Sequence, residues 1–354
     1  MSVKSIIRAF FVVMAGPVFA QGFAGLGMDA EGFSVPQRGT EFQFPQDHGA
    51  HPDYRIEWWY LTATLSDAQG RDYGVQWTLF RSALSAEAGS GWSASQLWMG
   101  HAGLTTASQH LYAERLGRGG VGQAGVTVQP FEAWIDDWTM RSVASAGAEA
   151  LDALTLTARG AEFSYALDLQ ATGPLVLQGD RGFSVKSPQG QASYYYSQPF
   201  YEASGILRLP DGDVAVTGQA WLDREWSSQP LSGDQTGWDW FSLHFDDGAR
   251  MMGFALRQTD GSSFTSATWI APDGTPMPFD DGALRLTGLD HAEVEGRQIP
   301  ISWRVELPDR GLDIVTVALN PESWMGTSFP YWEGPIRFSG SHSGRGYLEM
   351  TGYE

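Results

Sequence analysis

The chain of 354 residues contains no cysteine. Disulfides cannot hold it together, and neither a thiolate metal site nor a cysteine nucleophile can exist. Bases are scarce: 22 Lys and Arg stand against 41 Asp and Glu, a formal charge of −19. Nucleic acid is bound by cations that neutralise phosphates, and anionic lipid is held by charge in the same way. The composition speaks against both, and the acidity reads as solubility. Beyond the N-terminus no segment is long and apolar enough to span a bilayer. Helical stretches between strands are also missing, which excludes βαβ units. No G-x-S-x-G elbow occurs, since the nearest string, GSHSG at 340–344, has His342 at its centre. P-loop and dinucleotide fingerprints are absent too. The sequence calls for no cofactor.

Aromatics are abundant: 15 Trp, 12 Tyr and 19 Phe, with 43 Gly and 18 Pro. Short strands joined by tight turns fit this composition. Period-2 alternation recurs along the chain. Leu154, Leu156 and Ala158 alternate with Thr155 and Thr157; after Gly160 come Phe163, Tyr165, Leu167 and Leu169. Ile301, Trp303, Val305 and Leu307 form another such strand. PDG at 210–212 and 272–274, and DDG at 246–248 and 280–282, mark turns. The fold class expected is all-β.

The N-terminus reads as an export signal. Lys4 and Arg8 precede the apolar run Ala9 to Val18, and Val18-Phe19-Ala20 places small residues at −3 and −1 of a cleavage after Ala20. No Cys near position 21 offers a lipoprotein anchor. The expected location is outside the cytoplasm, the periplasm in a Gram-negative source. Residues 1–20 are then the signal peptide and 21–39 a flexible Gly-rich leader.

The remainder repeats itself weakly. EWWYLTATLSDAQG (57–70) matches GWDWFSLHFDDG (237–248) without a gap, pairing Trp58 with Trp238 and Tyr60 with Trp240. Each segment turns at Gly and runs into a strand ending in Arg81 or Arg257. Each half closes alike, at YEASGILRL (201–209) and YWEGPIRF (331–338). A duplicated β unit follows, 40–230 and 235–354, joined by the linker SSQPLSGDQTG (227–237). Closing such a sheet into a barrel removes its edges, and a barrel of this size packs solid or holds one small ligand.

The strings FPQDHGAHPDYRIEWWYLT, VQWTLFR, PLVLQGDRGFSVKS, ASYYYSQP, GQAWLDREWSS, GWDWFSLHFDDG, YWEGPIRFSG and GRGYLEMTGY resemble, in order, the AttH and carotenoid 1,2-hydratase (hydroxyneurosporene synthase) superfamily. The resemblance implies two lipocalin-like antiparallel β-barrel domains in tandem. It also implies an exported protein accompanied by ABC-transporter components in the AttH branch, and addition of water to an acyclic carotenoid in the other. The export signal sets this chain apart from the carotenoid branch.

Candidate site residues follow from alternation. In AWLDREWSS, Trp221, Asp223 and Glu225 share one strand face. If that face looks into an aromatic cavity, burial and mutual repulsion raise the carboxyls. A carboxyl kept protonated can protonate an isolated C=C, and aromatic faces stabilise the cation that results. The opposing reading pairs these acids with Arg224, Arg81 or Arg257 as a structural network. Asp239, between Trp238 and Trp240, is the second-choice acid. Ligand contacts are expected from Trp58, Trp59, Tyr60, Tyr194, Tyr196, Trp221, Trp238 and Trp240, with His48 and His51 at the barrel mouth. Asp47, His48 and His51 could offer metal ligands. The loop lacks a third His, however, and the spacing matches no zinc signature, so no metal is expected. Two functions emerge. One is an exported carrier of an apolar, isoprenoid-, polyene- or lipid-like molecule. The other is a hydratase or lyase adding water to an isoprenoid C=C by carboxylic-acid protonation. A buried carboxyl without a cation would favour the enzyme; carboxylates all paired with Arg would favour the carrier.

Overall fold

The computed structural model describes residues 31–353 apart from 88 and 230. The export-signal reading lies outside the described residues. The described end of the expected leader is tied down: the Ser34 amide bonds the Asp53 carbonyl and the Gln37 amide bonds the Tyr194 hydroxyl at 2.8 Å.

Strands dominate, and every pairing is antiparallel. The first sheet opens with β1 (Ile56–Ser66), β2 (Asp72–Ala83), β3 (Gln96–Thr105) and β4 (His110–Arg118). Five shorter strands follow: β5 (Ala124–Val128), β6 (Phe131–Ile135), β7 (Trp138–Ser142), β8 (Ala153–Arg159) and β9 (Ser164–Ala171). Next come β10 (Val176–Leu177), β11 (Phe183–Val185) and two long strands, β12 (Ala192–Leu209) and β13 (Gly212–Ser227). Their order is β4-β3-β2-β1-β13-β12-β9-β8-β7-β6-β5, with β10 and β11 pairing on β12. This sheet curls into a nearly closed barrel.

The second sheet begins with β14 (Gln235–Phe245), β15 (Arg250–Gln258), β16 (Ser263–Ile270), β17 (Pro276–Phe279) and β18 (Arg285–Gly288). A small separate hairpin, β19 (His291–Val294) and β20 (Arg297–Pro300), interrupts it. The sheet resumes with β21 (Ser302–Leu307), β22 (Leu312–Ala318), β23 (Trp324–Met325), β24 (Tyr331–Gly340) and β25 (Gly344–Met350). Its order is β17-β16-β15-β14-β25-β24-β22-β21-β18, with β23 on β24, and it forms a half-barrel. The chain is therefore all-β, with two lipocalin-like barrels in tandem. Three of the four expected turn motifs join paired strands, and the fourth, DDG at 280–282, leads from β17 to β18 at the two ends of the sheet order; Gly212, Gly248, Gly274 and Gly282 there take positive φ.

Alternation sorts the side chains into three cores. Trp59, Leu61, Ala63 and Leu65 of β1 enter the first barrel with Trp77 and Trp138. Phe241, Leu243 and Phe245 of β14 enter the second with Trp303 and Trp332. The residues between them in sequence face the other way. Tyr60, Trp221, Trp240 and Tyr347, with Trp58 and Trp238 partly covered, form a third core between the two sheets. β1, β14 and the second half of β13 (220–227) are thus buried on both faces. The sheets approach closely at Gly74, where a Cβ would lie 2.5 Å from Pro335 Cγ and 2.9 Å from the Tyr347 hydroxyl.

Candidate functional site between the barrels

The acids predicted on β13 lie in this third core rather than inside a barrel. Alternation had put Trp221, Asp223 and Glu225 on one face, and that face turns outward from the first barrel onto the second sheet. Asp223 stands opposite Tyr60 of β1 and Ser197 of β12. Its carboxylate accepts hydrogen bonds from the Ser197 hydroxyl at 2.5 Å, the Tyr195 hydroxyl at 2.6 Å and the Trp221 indole at 2.6 Å. Gln178 in turn donates to Ser197 at 2.8 Å, and the Trp240 indole donates to the Tyr195 oxygen at 3.1 Å. Asp223 is 2% exposed, and no Lys, Arg or His forms an ion pair with it among the described residues. Burial pushes its carboxyl up to about 7, outweighing the three hydrogen bonds that favour the anion.

Glu225 has a different environment on the same face. Lys186 pairs with it at 2.8 Å and the Ser193 hydroxyl donates to it. The Lys186 ammonium also lies over the rings of Tyr195, at 4.9 Å, and Phe254, at 4.4 Å. One carboxyl is compensated by a cation and its neighbour is not. That asymmetry separates an acid from a base.

The second half contributes two carboxyls that the sequence reading did not single out. Glu333 and Glu349 are directly opposite each other on β24 and β25. The Tyr60 hydroxyl donates across the sheets to Glu333, and the Trp238 indole donates to Glu349. Burial first, then the Glu349 charge, push the fully covered Glu333 well above the usual carboxylate range. Glu349 keeps some exposure and is also pushed up by burial. Strand register makes Glu349 the counterpart of Asp223: Tyr60 opposes Asp223 as Trp240 opposes Glu349. The two acids lie in the strings YWEGP and GYLEM, and alternation alone puts Glu349 on the Tyr347 face.

The remaining candidates divide between this face and the barrel interiors. Trp58, Tyr60, Trp221, Trp238 and Trp240 border the acids, and Tyr60 meets Trp240 edge-on at 5.2 Å. Tyr195, between the two tyrosines named from sequence, is the one that reaches Asp223. Tyr194 and Tyr196 point into the first barrel. Trp59 does the same, and Arg224 stacks over it at 3.8 Å. His48 is buried there, bonded to the Tyr196 hydroxyl at 2.6 Å and to Glu149. His51 stacks on Trp226 at 4.0 Å and contacts Glu57 and Asp47.

The arginines suspected of pairing with Asp223 bind elsewhere. Arg81 and Arg224 both pair with fully buried Glu57. Burial would push that carboxyl up, but the two guanidiniums overcome it and hold Glu57 well below the usual carboxylate range. Arg257 pairs with Asp239, which also accepts from Tyr353 at 2.9 Å, so Asp239 belongs to the end of the second barrel and not to the acid face. Among the described residues, no group of three or more His, Cys, Asp or Glu is gathered as a metal site.

Comparisons with known proteins agree with this architecture. A family profile described as AttH-like matches residues 35–353. The crystal structure of an AttH protein from Nitrosomonas europaea is similar at 32% identity and a TM-score of 0.80, covering 91% of this chain and 99% of that one. Kievitone hydratase from Nectria haematococca shares the fold at 14% identity and a TM-score of 0.66, over 92% and 98% of the two chains. CghA, solved with Sch210972, does so at 15% and 0.56, over 92% and 97%. A search of curated proteins found no match. No helix among the described residues is long and apolar enough to cross a membrane. The chain belongs to the AttH-like family.

Proposed function

We propose that this protein binds an apolar isoprenoid- or polyene-like molecule between its two barrels and adds water to one of its C=C bonds by acid catalysis. A single observation carries the reading: Asp223 is buried among indole and phenol rings, receives three hydrogen bonds and pairs with no cation among the described residues. With its carboxyl at about 7, a large share is protonated at neutral pH. In the protonated form, the Tyr195 or Ser197 hydroxyl turns to accept, since an indole N–H cannot. Asp223 gives its proton to one alkene carbon, the π pair forms the new C–H bond, and the other carbon becomes cationic. The faces of Tyr60, Trp221 and Trp240 stabilise that charge. Water attacks the cation and loses a proton to Glu225, whose negative charge Lys186 compensates. A hydratase occurs among the proteins sharing the fold, although an identity of 14% speaks to the fold alone.

The carrier reading keeps the same apolar face and omits the chemistry; the uncompensated Asp223 favours the enzyme. We also place the protein outside the cytoplasm, on the strength of Lys4, Arg8 and the Val18-Phe19-Ala20 cleavage pattern. The test is a panel of acyclic polyenes and isoprenoids incubated in deuterium oxide. Product should gain one water, with one deuterium fixed on carbon. Asp223→Asn should lower turnover by about 10²–10⁴-fold, while quenching of tryptophan fluorescence still reports binding. Full turnover in the Asn variant would refute the assignment.

A further inference from the structure

The Glu333–Glu349 pair takes no part in the reaction above, yet it sits on the same interdomain face. Glu333 Oε1 accepts from Tyr60, whereas Oε2 is buried and receives no donor. An ionised carboxylate would leave that oxygen uncompensated in the core, directly opposite a second carboxylate.

The neighbouring hydrogen bonds have a fixed direction. Glu114, partly exposed, accepts from the Ser328 amide at 2.9 Å and from its hydroxyl at 2.8 Å. It is therefore an acceptor toward His101 Nε2 as well, at 3.2 Å, and that nitrogen carries the proton. Buried His101 is kept neutral by its surroundings, so its Nδ1 is an acceptor. The Tyr331 hydroxyl, 2.9 Å from Nδ1 with its ring stacked on the imidazole, must then donate to it. This leaves the Tyr331 oxygen as an acceptor, within hydrogen-bonding range of the Glu333 carboxyl two residues along the same face of β24. Gln76 Nε2 reaches that oxygen only at 3.4 Å; a protonated Glu333 supplies the second donor the oxygen can accept and gives its own unpartnered Oε2 a partner. The other groups facing the pair do not change this. Tyr60, Tyr165 and Tyr347 are neutral phenols, and Glu225 adds negative charge.

We propose that Glu333 is held as a neutral carboxylic acid and that Tyr331, His101 and Glu114 form a proton path from it to the protein surface. Along it, the Oε2 proton passes to the Tyr331 oxygen, the Tyr331 proton to His101 Nδ1, and the Nε2 proton to Glu114. Glu333 becomes a carboxylate, Glu114 an acid, and nothing else is consumed. Taken with the acid-catalytic reading on which it builds, the path lets the site exchange protons with solvent while a bound molecule covers the partly open edge at Trp58 and Trp238.

Infrared spectroscopy of the full chain tests this through the carbonyl stretch of protonated carboxyls. At about pH 8 a carboxylic-acid band should persist that Glu333→Gln removes and Asp223→Asn leaves in place. His101→Phe keeps the stacking but removes the acceptor that orients Tyr331. The band should then titrate about one pH unit lower, roughly the worth of one hydrogen bond. Tyr331→Phe should produce the same shift and serves if His101→Phe does not fold. A spectrum at about pH 8 unchanged by Glu333→Gln overturns the neutral acid. An unmoved midpoint in both ring variants overturns the path. Neither result depends on whether Asp223→Asn loses turnover.

Discussion

Asp223→Asn should stabilise this protein at alkaline pH. In the unfolded chain the carboxyl titrates near 3.8; in the fold, burial lifts it to about 7. The folded state therefore holds a proton that the unfolded state has released across the window from about 4 to about 7. Stability falls as pH rises through that window and is lowest above it. At about 1.4 kcal/mol per tenfold, the ionised carboxylate costs the fold about 4 kcal/mol at pH 8. Asparagine carries no charge to desolvate. Its oxygen can accept from Ser197 and Trp221 as Oδ1 does, and its amide can donate to a turned Tyr195 hydroxyl. The net gain at pH 8 is then a few kcal/mol, shrinking to about zero near pH 4. The assay is equilibrium urea denaturation of both proteins across that range. Glu333 and Glu349 bend both curves alike, so the difference between the curves isolates Asp223. A variant less stable than wild type at pH 8, or a difference that does not change with pH, would refute the claim that burial dominates this carboxyl.

Two further substitutions probe the frame around the site. Glu57→Gln removes the countercharge that Arg81 and Arg224 share inside the first barrel, and should cost about 3–5 kcal/mol in the same urea assay; a loss below about 1 kcal/mol would mean that backbone carbonyls alone suffice for the guanidiniums. Gly74→Ala drives a methyl into Pro335 and the Tyr347 hydroxyl, and should cost about 1–3 kcal/mol by forcing the two sheets apart. It would show as a lower thermal midpoint and as greater solvent quenching of interdomain tryptophans. An unchanged midpoint would mean that the sheets are not pressed together there.

Alternation made much of this fold legible. It put Trp221, Asp223 and Glu225 on one face, and the internal repeat aligned Trp58 with Trp238. It could not say which face of β13 was the inside of a barrel. Normally burial answers that, but β1 and residues 220–227 of β13 are covered on both faces, by the first barrel's core and by the second sheet, so neither face there carries the polar signature of solvent. Asp223 and Asp239 looked alike for a related reason: each is an acid beside tryptophan. What distinguishes them is Arg257, eighteen positions from Asp239 in sequence and paired with it only through the β14–β15 register. His48 and His51 had the look of a ligand pair because nothing local reveals that Tyr196, Glu149 and Trp226, all distant in sequence, occupy them. Glu333 lies 110 positions beyond Asp223, and no local pattern links the two.

The packing of two barrels against each other explains why the acids lie between them and not inside one. A lipocalin-like barrel turns one face of each strand inward, and here the inward faces are filled by Trp59, Trp77, Trp138, Trp303 and Trp332. The outward faces would ordinarily be wet and polar. Two barrel-like domains, packed outer face to outer face, place matching strand positions in a common interior. Asp223 from one half and Glu349 from the other, each at the same place relative to the central strands, become neighbours of Tyr60 and Trp240. Neither sheet alone covers these carboxyls. The donors that surround them also cross the boundary, Tyr60 to Glu333 in one direction and Trp240 to the Tyr195 that holds Asp223 in the other. A raised carboxyl at this place is therefore a property of the docked pair. It follows from burial, which depends on the two barrels remaining closed on each other.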